Sequence, residues 1–276
     1  MSARRTIFNF IRVLVRIVPK GKSLIINTSL RILGTYYGGV ITVQGLKFWI
    51  EHINALNRSL FFLGIYEPAM TAVVKEILKP GMKVFDIGSN FGWYTIIMAH
   101  LVGSQGKVYA FDMAPSLIHI LYRNIELNGL SNVIVTRAAL GNKDSNVEFY
   151  DDQLSGTANL SDQLVQNKQQ GSVPMIRFDD FIQDNQISEI DFIKCDIDGA
   201  ESLFLEGAQQ SLIRTSHIIM EINDEAQQVF HSSGEELINK LRSYGYQLKN
   251  IDQKLKELTA ADAMNYSSVN ALCLRR

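Results

Sequence analysis

The short run Val84-Phe85-Asp86-Ile87 ends in Gly88-Ser89-Asn90-Phe91-Gly92 and passes at once into helical periodicity from Trp93 to Leu101. A strand that turns through glycines into a helix commits the chain to a crossover connection, and so to a sheet built from parallel strands. Gly88 and Gly92 let the backbone pass close to a ligand, and the amino end of the following helix presents free N–H groups toward it. A nicotinamide dinucleotide fold would place the second glycine of G-x-G-x-x-G at position 90, where this chain has Asn90. With Asp86 at the strand end, the turn suits a nucleoside that bears an amino-acid tail better than a pyrophosphate.

The same alternation runs along the rest of the chain. Met70, Val73, Val74, Ile77 and Leu78 recur at helical spacing behind Pro68, and the pattern stops at Lys79-Pro80-Gly81. Strands are expected at Val108 to Phe111, Val133 to Ala138, Phe192 to Cys195 and Ile218 to Ile222, and helices at Ser116 to Leu127, Ala200 to Ile213 and Gly234 to Tyr244. Two final strands, near Tyr246 to Ile251 and Val269 to Leu274, lack a helical pattern between them, which predicts an antiparallel hairpin at one sheet edge. The fold class is α/β: a Rossmann-like, doubly wound, mostly parallel sheet over residues 60–276. Between Val147 and Ile176 a helix is missing, and the polar stretch from Asp151 to Ser172 reads as an irregular loop acting as a lid.

Residues 1–59 form a basic, helical amino-terminal extension. The first acidic residue is Glu51, and Arg4, Arg5, Arg12, Arg16, Lys20, Lys22, Arg31 and Lys47 precede it. Arg12 and Arg16 interrupt the apolar stretch from Ile7 to Val18, leaving it far short of the roughly 20 residues that span a bilayer. A helix packed on the domain or a partner is expected, with peripheral contact to an anionic membrane as the functional reading. Net charge over the whole chain is −1, so nothing supports a nucleic-acid partner. Cys195 and Cys273 lie in apolar runs, which suits reduced, buried thiols and a cytoplasmic setting. No metal site is expected, although several carboxylates close together could hold a divalent cation.

Ligands of such sheets sit beyond the carboxyl ends of the strands, so the polar residues just after each strand are the candidates. Asp112 ends the second strand, where its carboxylate can accept both hydroxyls of a ribose. Met113, Ala138 and Ala139 offer apolar contact to a base. After the fourth and fifth strands come Asp196, Asp198, Glu201, Glu221 and Asn223, with Lys194 inside the fourth strand.

Taken in order, Tyr66-Glu67-Pro68, Lys79-Pro80-Gly81, Val84 to Gly92, Val108 to Asp112 and Phe192 to Glu201 resemble the FkbM-type methyltransferases. The resemblance covers about Phe61 to Ile222, with Ser89, Asp112 and Asp198 departing from the Ala, Glu and Glu usual there. It implies a class I methyltransferase fold and S-adenosylmethionine as methyl donor. It also implies transfer to an oxygen of a sugar, glycolipid or other natural product. Carried over by position, Glu67, Asp86, Gly88, Asn90, Gly92, Asp112 and Ala139 would surround the cofactor. Asp196 would face the transferred methyl, with Lys194 and Glu221 completing the catalytic group. A catalytically silent nucleoside-binding subunit and a transfer RNA methyltransferase are the competing readings.

Overall fold

The computed structural model describes residues 3–152, 156–166, 169–259, 261–262 and 268–275. Two helices, α1 (Ala3–Ile17) and α2 (Lys22–Leu33), open the chain and lead into a hairpin of β1 (Tyr36–Val43) and β2 (Leu46–His52). The extension is therefore not all helical. Gln44 and Gly45 both hold positive φ, 52° and 83°, and so form the tight turn whose twist matches that of paired strands. Alternation does the rest: Ile41, Val43, Phe48 and Ile50 are buried while Thr42 and Lys47 face out.

Next come α3 (Arg58–Leu63), α4 (Pro68–Ile77), β3 (Lys83–Ile87), α5 (Trp93–Val102), β4 (Lys107–Asp112), α6 (Pro115–Leu127) and β5 (Val133–Arg137). A second, smaller sheet follows, made of β6 (Ala139–Gly141), β7 (Ser145–Asp152), β8 (Thr157–Asn159) and β9 (Gln169–Arg177). It corrects the reading of Asp151 to Ser172 as an irregular loop. β7 and β9 pair from Ser145 opposite Met175 to Asp151 opposite Gln169, and Phe149, Val173 and Met175 turn inward to a small core of their own. Polar residues at every second position dilute the apolar signal in such a strand, so composition alone hides it. Residues 153–155 and 167–168 of this stretch lie outside the described residues.

The chain then returns through α7 (Phe178–Asp184), β10 (Phe192–Cys195), α8 (Glu201–Gly207), α9 (Gln209–Leu212), β11 (His217–Ile222), α10 (Asp224–Val229), α11 (Gly234–Ser243), β12 (Tyr246–Asn250), β13 (Lys256–Glu257) and β14 (Val269–Arg275). The single helix expected over Ala200 to Ile213 is divided at Ala208. There the Asp179 carboxylate accepts the backbone N–H of Gln210 and of Ser211 at 2.9 and 2.8 Å, capping a new helix start.

Among the described residues the main sheet has the order β13-β12-β14-β11-β10-β3-β4-β5. β5, β4, β3, β10 and β11 pair in parallel, and β14 runs antiparallel to both β11 and β12. The antiparallel closing pair is thus present at the edge, with the last strand inserted on the inner side. Strand order reverses between β3 and β10, which opens a crevice above their carboxyl ends. The extension is part of one core: Phe8, Phe48, Phe61 and Trp93 belong to a continuous buried cluster that reaches Val108 in β4. Cys195 and Cys273 are both buried, on β10 and β14.

Candidate active site

The β3–β10 register sets Asp86 directly beside Lys194, so a carboxylate and an ammonium share one end of the crevice. Asp86 is wholly buried. Its Oδ2 accepts the Thr95 hydroxyl at 2.5 Å, while Oδ1 has no hydrogen-bond partner and lies 3.8 Å from Lys194 Nζ. Burial pushes the Asp86 carboxyl up to about 6, against the opposing pull of Lys194 and Thr95. Lys194 donates to the Gly88 carbonyl at 3.0 Å and sits 3.1 Å from Asp196 Oδ2. Burial alone would depress its ammonium, but Asp196, Asp86 and Glu67 together hold it above the usual lysine range.

The glycine turn is shaped by this packing. At Gly88 φ is +75°, and a Cβ there would meet the Asp196 carbonyl oxygen at 1.8 Å. At Gly92, with φ +92°, a Cβ would strike Leu121 at 2.6 Å. Asn90, also at positive φ, donates its backbone N–H to Asp112 Oδ2 at 2.8 Å and its side-chain amide to the Gly156 carbonyl at 2.9 Å. Asp112 Oδ1 accepts the N–H groups of Met113 and Ala114 at 2.8 and 3.2 Å. Burial raises the Asp112 carboxyl, and these three amides oppose the rise. A carboxylate has about four acceptor sites, so after these three amides one remains, on Oδ2. Beside it Met113, Leu117, Ala138, Ala139 and Leu140 form an apolar wall of the cavity.

At the other end Asp196, Asp198 and Glu221 bring carboxylate oxygens within 4.8 Å of one another. The Asp196 charge, then burial, drives Glu221 far above the usual carboxylate range, and burial followed by Asp196 raises Asp198. Both are thereby biased toward the protonated form while the Lys194 ammonium faces Asp196. Glu67 accepts the Tyr94 hydroxyl at 2.8 Å and is raised chiefly by burial, then by Asp196.

The Methyltransferase FkbM domain model matches residues 86–248, more than half of the chain. The chain belongs to the FkbM methyltransferase family. It therefore carries an S-adenosylmethionine-dependent methyltransferase domain, in agreement with its sheet order. A protein-L-isoaspartate O-methyltransferase of Methanococcoides burtonii is 40% identical over 73 residues, 26% of this chain and 36% of that protein. Its counterpart in Pyrococcus horikoshii is likewise 40% identical over 73 residues, 26% of this chain and 32% of that one. This chain thus spans about a third of the length of the curated relatives it matches. A crystal structure of methyltransferase FkbM from Methylobacillus flagellatus superposes with a TM-score of 0.45 at 13% identity, covering 78% of this chain and 52% of that one.

All the FkbM positions singled out in the sequence except Gly92 line one cavity: Glu67, Gly88, Asn90, Asp112, Ala139, Lys194, Asp196 and Glu221 directly, with Asp86 behind them on Lys194. Gly92 instead starts α5 beneath the turn. Lys194 does not extend to solvent; it is 3% exposed and joins the two ends of the crevice. Glu201 faces the loop rather than the cavity, accepting N–H groups of Ile197 and Gly199 at 2.9 and 3.0 Å and the side-chain amide of Gln227. Asn223 caps α10 by accepting the Ala226 N–H at 3.1 Å. Sequence reasoning missed Tyr94 and Thr95, which occupy the first turn of α5 and secure Glu67 and Asp86. Their position immediately after the glycine turn was the available signal. It also missed Thr157, Ala158 and Leu160 of the small sheet, which line the cavity opposite Ala139.

Proposed function

We propose that the protein methylates a hydroxyl oxygen of a sugar, glycolipid or related natural product, with Asp196 receiving or orienting the hydroxyl proton. S-adenosylmethionine, when bound, supplies a methyl group already activated by the sulfonium charge. The residues suit that cofactor. The left-handed turn at Gly88 leaves no room for a side chain, Asp112 stands at the strand end where a ribose is held, and the apolar wall at Met113, Ala138 and Ala139 suits a base. Glu67 lines the opposite end, where an amino-acid tail presents its ammonium, and Asp86 stands behind the lining, holding Lys194 in place.

One observation carries the reaction type: of the three clustered carboxyls, Asp196 faces the Lys194 ammonium at 3.1 Å, and its charge together with burial biases Asp198 and Glu221 toward the protonated form. Asp196 is also partly open, its side chain 29% exposed, so an acceptor can reach it. Aligning acceptor and donor in such a crevice contributes about 7–11 kcal/mol to lowering the barrier, and proton removal about 10²–10⁴-fold in rate. Among the described residues Lys194 is the one basic side chain in the cavity lining, and Asp196 already engages it, which argues against a phosphodiester acceptor such as transfer RNA.

Asp196→Asn is expected to lower turnover by about 10²–10⁴-fold while the dissociation constant for S-adenosylmethionine, measured by calorimetry, stays within a few-fold. Equal loss of both would remove Asp196 from the reaction. The acceptor is sought by incubating the protein with methyl-labelled donor and fractionated glycans, glycolipids and small metabolites, with mass spectrometry reading the gain of one methyl. Absence of label from every fraction would favour a silent nucleoside-binding subunit.

A further inference from the structure

Helix α1 presents its charges and its apolar residues on unexpected sides. Arg12 and Arg16 donate Nε to the carbonyls of Phe61 and Phe62 at 2.7 and 3.1 Å, the last turn of α3, where carbonyls lack helical partners and a positive charge is favoured. Arg5 donates to the Gly38 carbonyl, and the Arg12 guanidinium lies 4.9 Å from the centre of the Phe61 ring. Phe8 and Val15 enter the core on the adjoining arc. Large apolar side chains are left on the outside: Phe10 is 69% exposed, Val13 60% and Ile17 71%, and on α2 Leu24 is 72% and Ile32 76% exposed. Among the described residues, every large apolar side chain exposed to 60% or more belongs to these two helices. Ile7, Leu24 and Ile32 border one shallow groove between them, so the exposed apolar side chains of α1 and α2 meet across it rather than standing as isolated points.

We propose that this face of α1 and α2 docks on an anionic lipid bilayer, lying in its surface. Exposed Arg4, Lys20 and Arg31 accompany the apolar residues, and no acidic residue occurs before Glu51. The patch therefore complements a negative surface and an acyl boundary at once. A second copy of the chain is a poorer occupant, because face-to-face pairing would bring these cations together with no counter-charge in the patch. No helix among the described residues is long and apolar enough to cross a membrane, which leaves docking on the surface. α1 rests on α3, and the chain leaving α3 supplies Tyr66 and Glu67 to the cavity. Docking through α1 would thus be coupled mechanically to one wall of the crevice.

The test is flotation of the full chain with vesicles of phosphatidylcholine alone or of phosphatidylcholine with phosphatidylglycerol. Wild type is expected to float with the anionic vesicles and not with the neutral ones, and added salt should release it. Phe10→Glu combined with Ile32→Glu should lower the bound fraction by about tenfold or more, and Lys20→Glu with Arg31→Glu by roughly fivefold per charge. All four positions are exposed, and circular dichroism should show the variants folded as wild type. Failure of wild type to float, or flotation unchanged by both pairs of substitutions, would overturn the proposal. So would sedimentation velocity showing a dimer that Phe10→Glu splits while vesicles capture nothing, since a second copy would then cover the face.

Discussion

The crevice above β3 and β10 and the outer face of α1 and α2 depart from ordinary burial in opposite senses. In and just behind the crevice Asp86, Asp112 and Lys194 are at least nine-tenths buried; on the helices Phe10, Ile17, Leu24 and Ile32 lie largely in solvent. The buried charges are matched within the chain. Asp86 has Thr95 and Lys194, Asp112 has three backbone amides, and Lys194 has Asp196 and the Gly88 carbonyl. Nothing among the described residues covers the exposed apolar side chains. The difference teaches that the crevice is organised in advance of its ligand, whereas the helical face is completed from outside.

Changes that address this contrast can be ranked. Asp112→Ala removes the acceptor proposed for a ribose hydroxyl, its one remaining charge-assisted bond being worth about 1.5–3 kcal/mol. Calorimetry should show S-adenosylmethionine affinity reduced by about one to two orders of magnitude. The melting temperature should also fall modestly, because three amides lose their partner. Unchanged affinity would reassign Asp112 to a purely structural role.

Phe8 and Phe10, two positions apart on α1, sharpen the comparison directly. Phe8→Ala empties a fully buried site packed against Tyr37 and Phe61 and should cost about 3–5 kcal/mol in urea unfolding. That would show the extension to be part of the domain's core, whereas a small effect would mark it as a detachable appendage.

The buried acids predict a pH dependence of stability. Burial lifts Glu201 to about 8 and Asp86 to about 6 in the folded chain, both above their unfolded values near 4. A group raised on folding stabilises fully below its unfolded value and loses that contribution as pH rises through its folded one. The urea midpoint should therefore decline between about pH 4 and about pH 8, and Glu201→Gln should flatten the upper part of the decline. A midpoint that climbs across this range would show the acids to be ionised on folding. Smallest of all, Phe10→Ser should leave the midpoint within about 0.5 kcal/mol of wild type, as for a surface position.

Much of the fold was legible because its signals are local. The run Val84 to Ile87 and the glycine turn after it mark β3, and the pattern behind Pro68 marks α4 within a residue of its observed end. The lack of a helical pattern between the last two strands also forecast the antiparallel closing pair of β12 and β14. The small sheet and the β1–β2 hairpin were not legible. β7 and β9 are rich in polar residues, β1 is interrupted by Gly38 and Gly39, and these strands are held by partners distant in sequence, as when Asn124 on α6 accepts the Trp49 N–H at 2.6 Å. The candidate site shows the same division, since strand-end acids announce themselves by position while Tyr94 and Thr95 acquire meaning only beside Glu67 and Asp86.

By itself the sequence determined the parallel sheet, the glycine turn and the set of acids at the strand ends, because each follows from backbone geometry over a few neighbouring residues. Only the tertiary structure decided that Lys194 would bridge Asp86 and Asp196, that Glu201 would serve its own loop, and that Arg12 and Arg16 would reach the α3 carbonyls while Phe10 and Ile17 stay outside. The physical reason is that a side chain's charge state and orientation are set by what packs against it. Across β3 and β10, or between α1 and α3, those neighbours are far away along the chain.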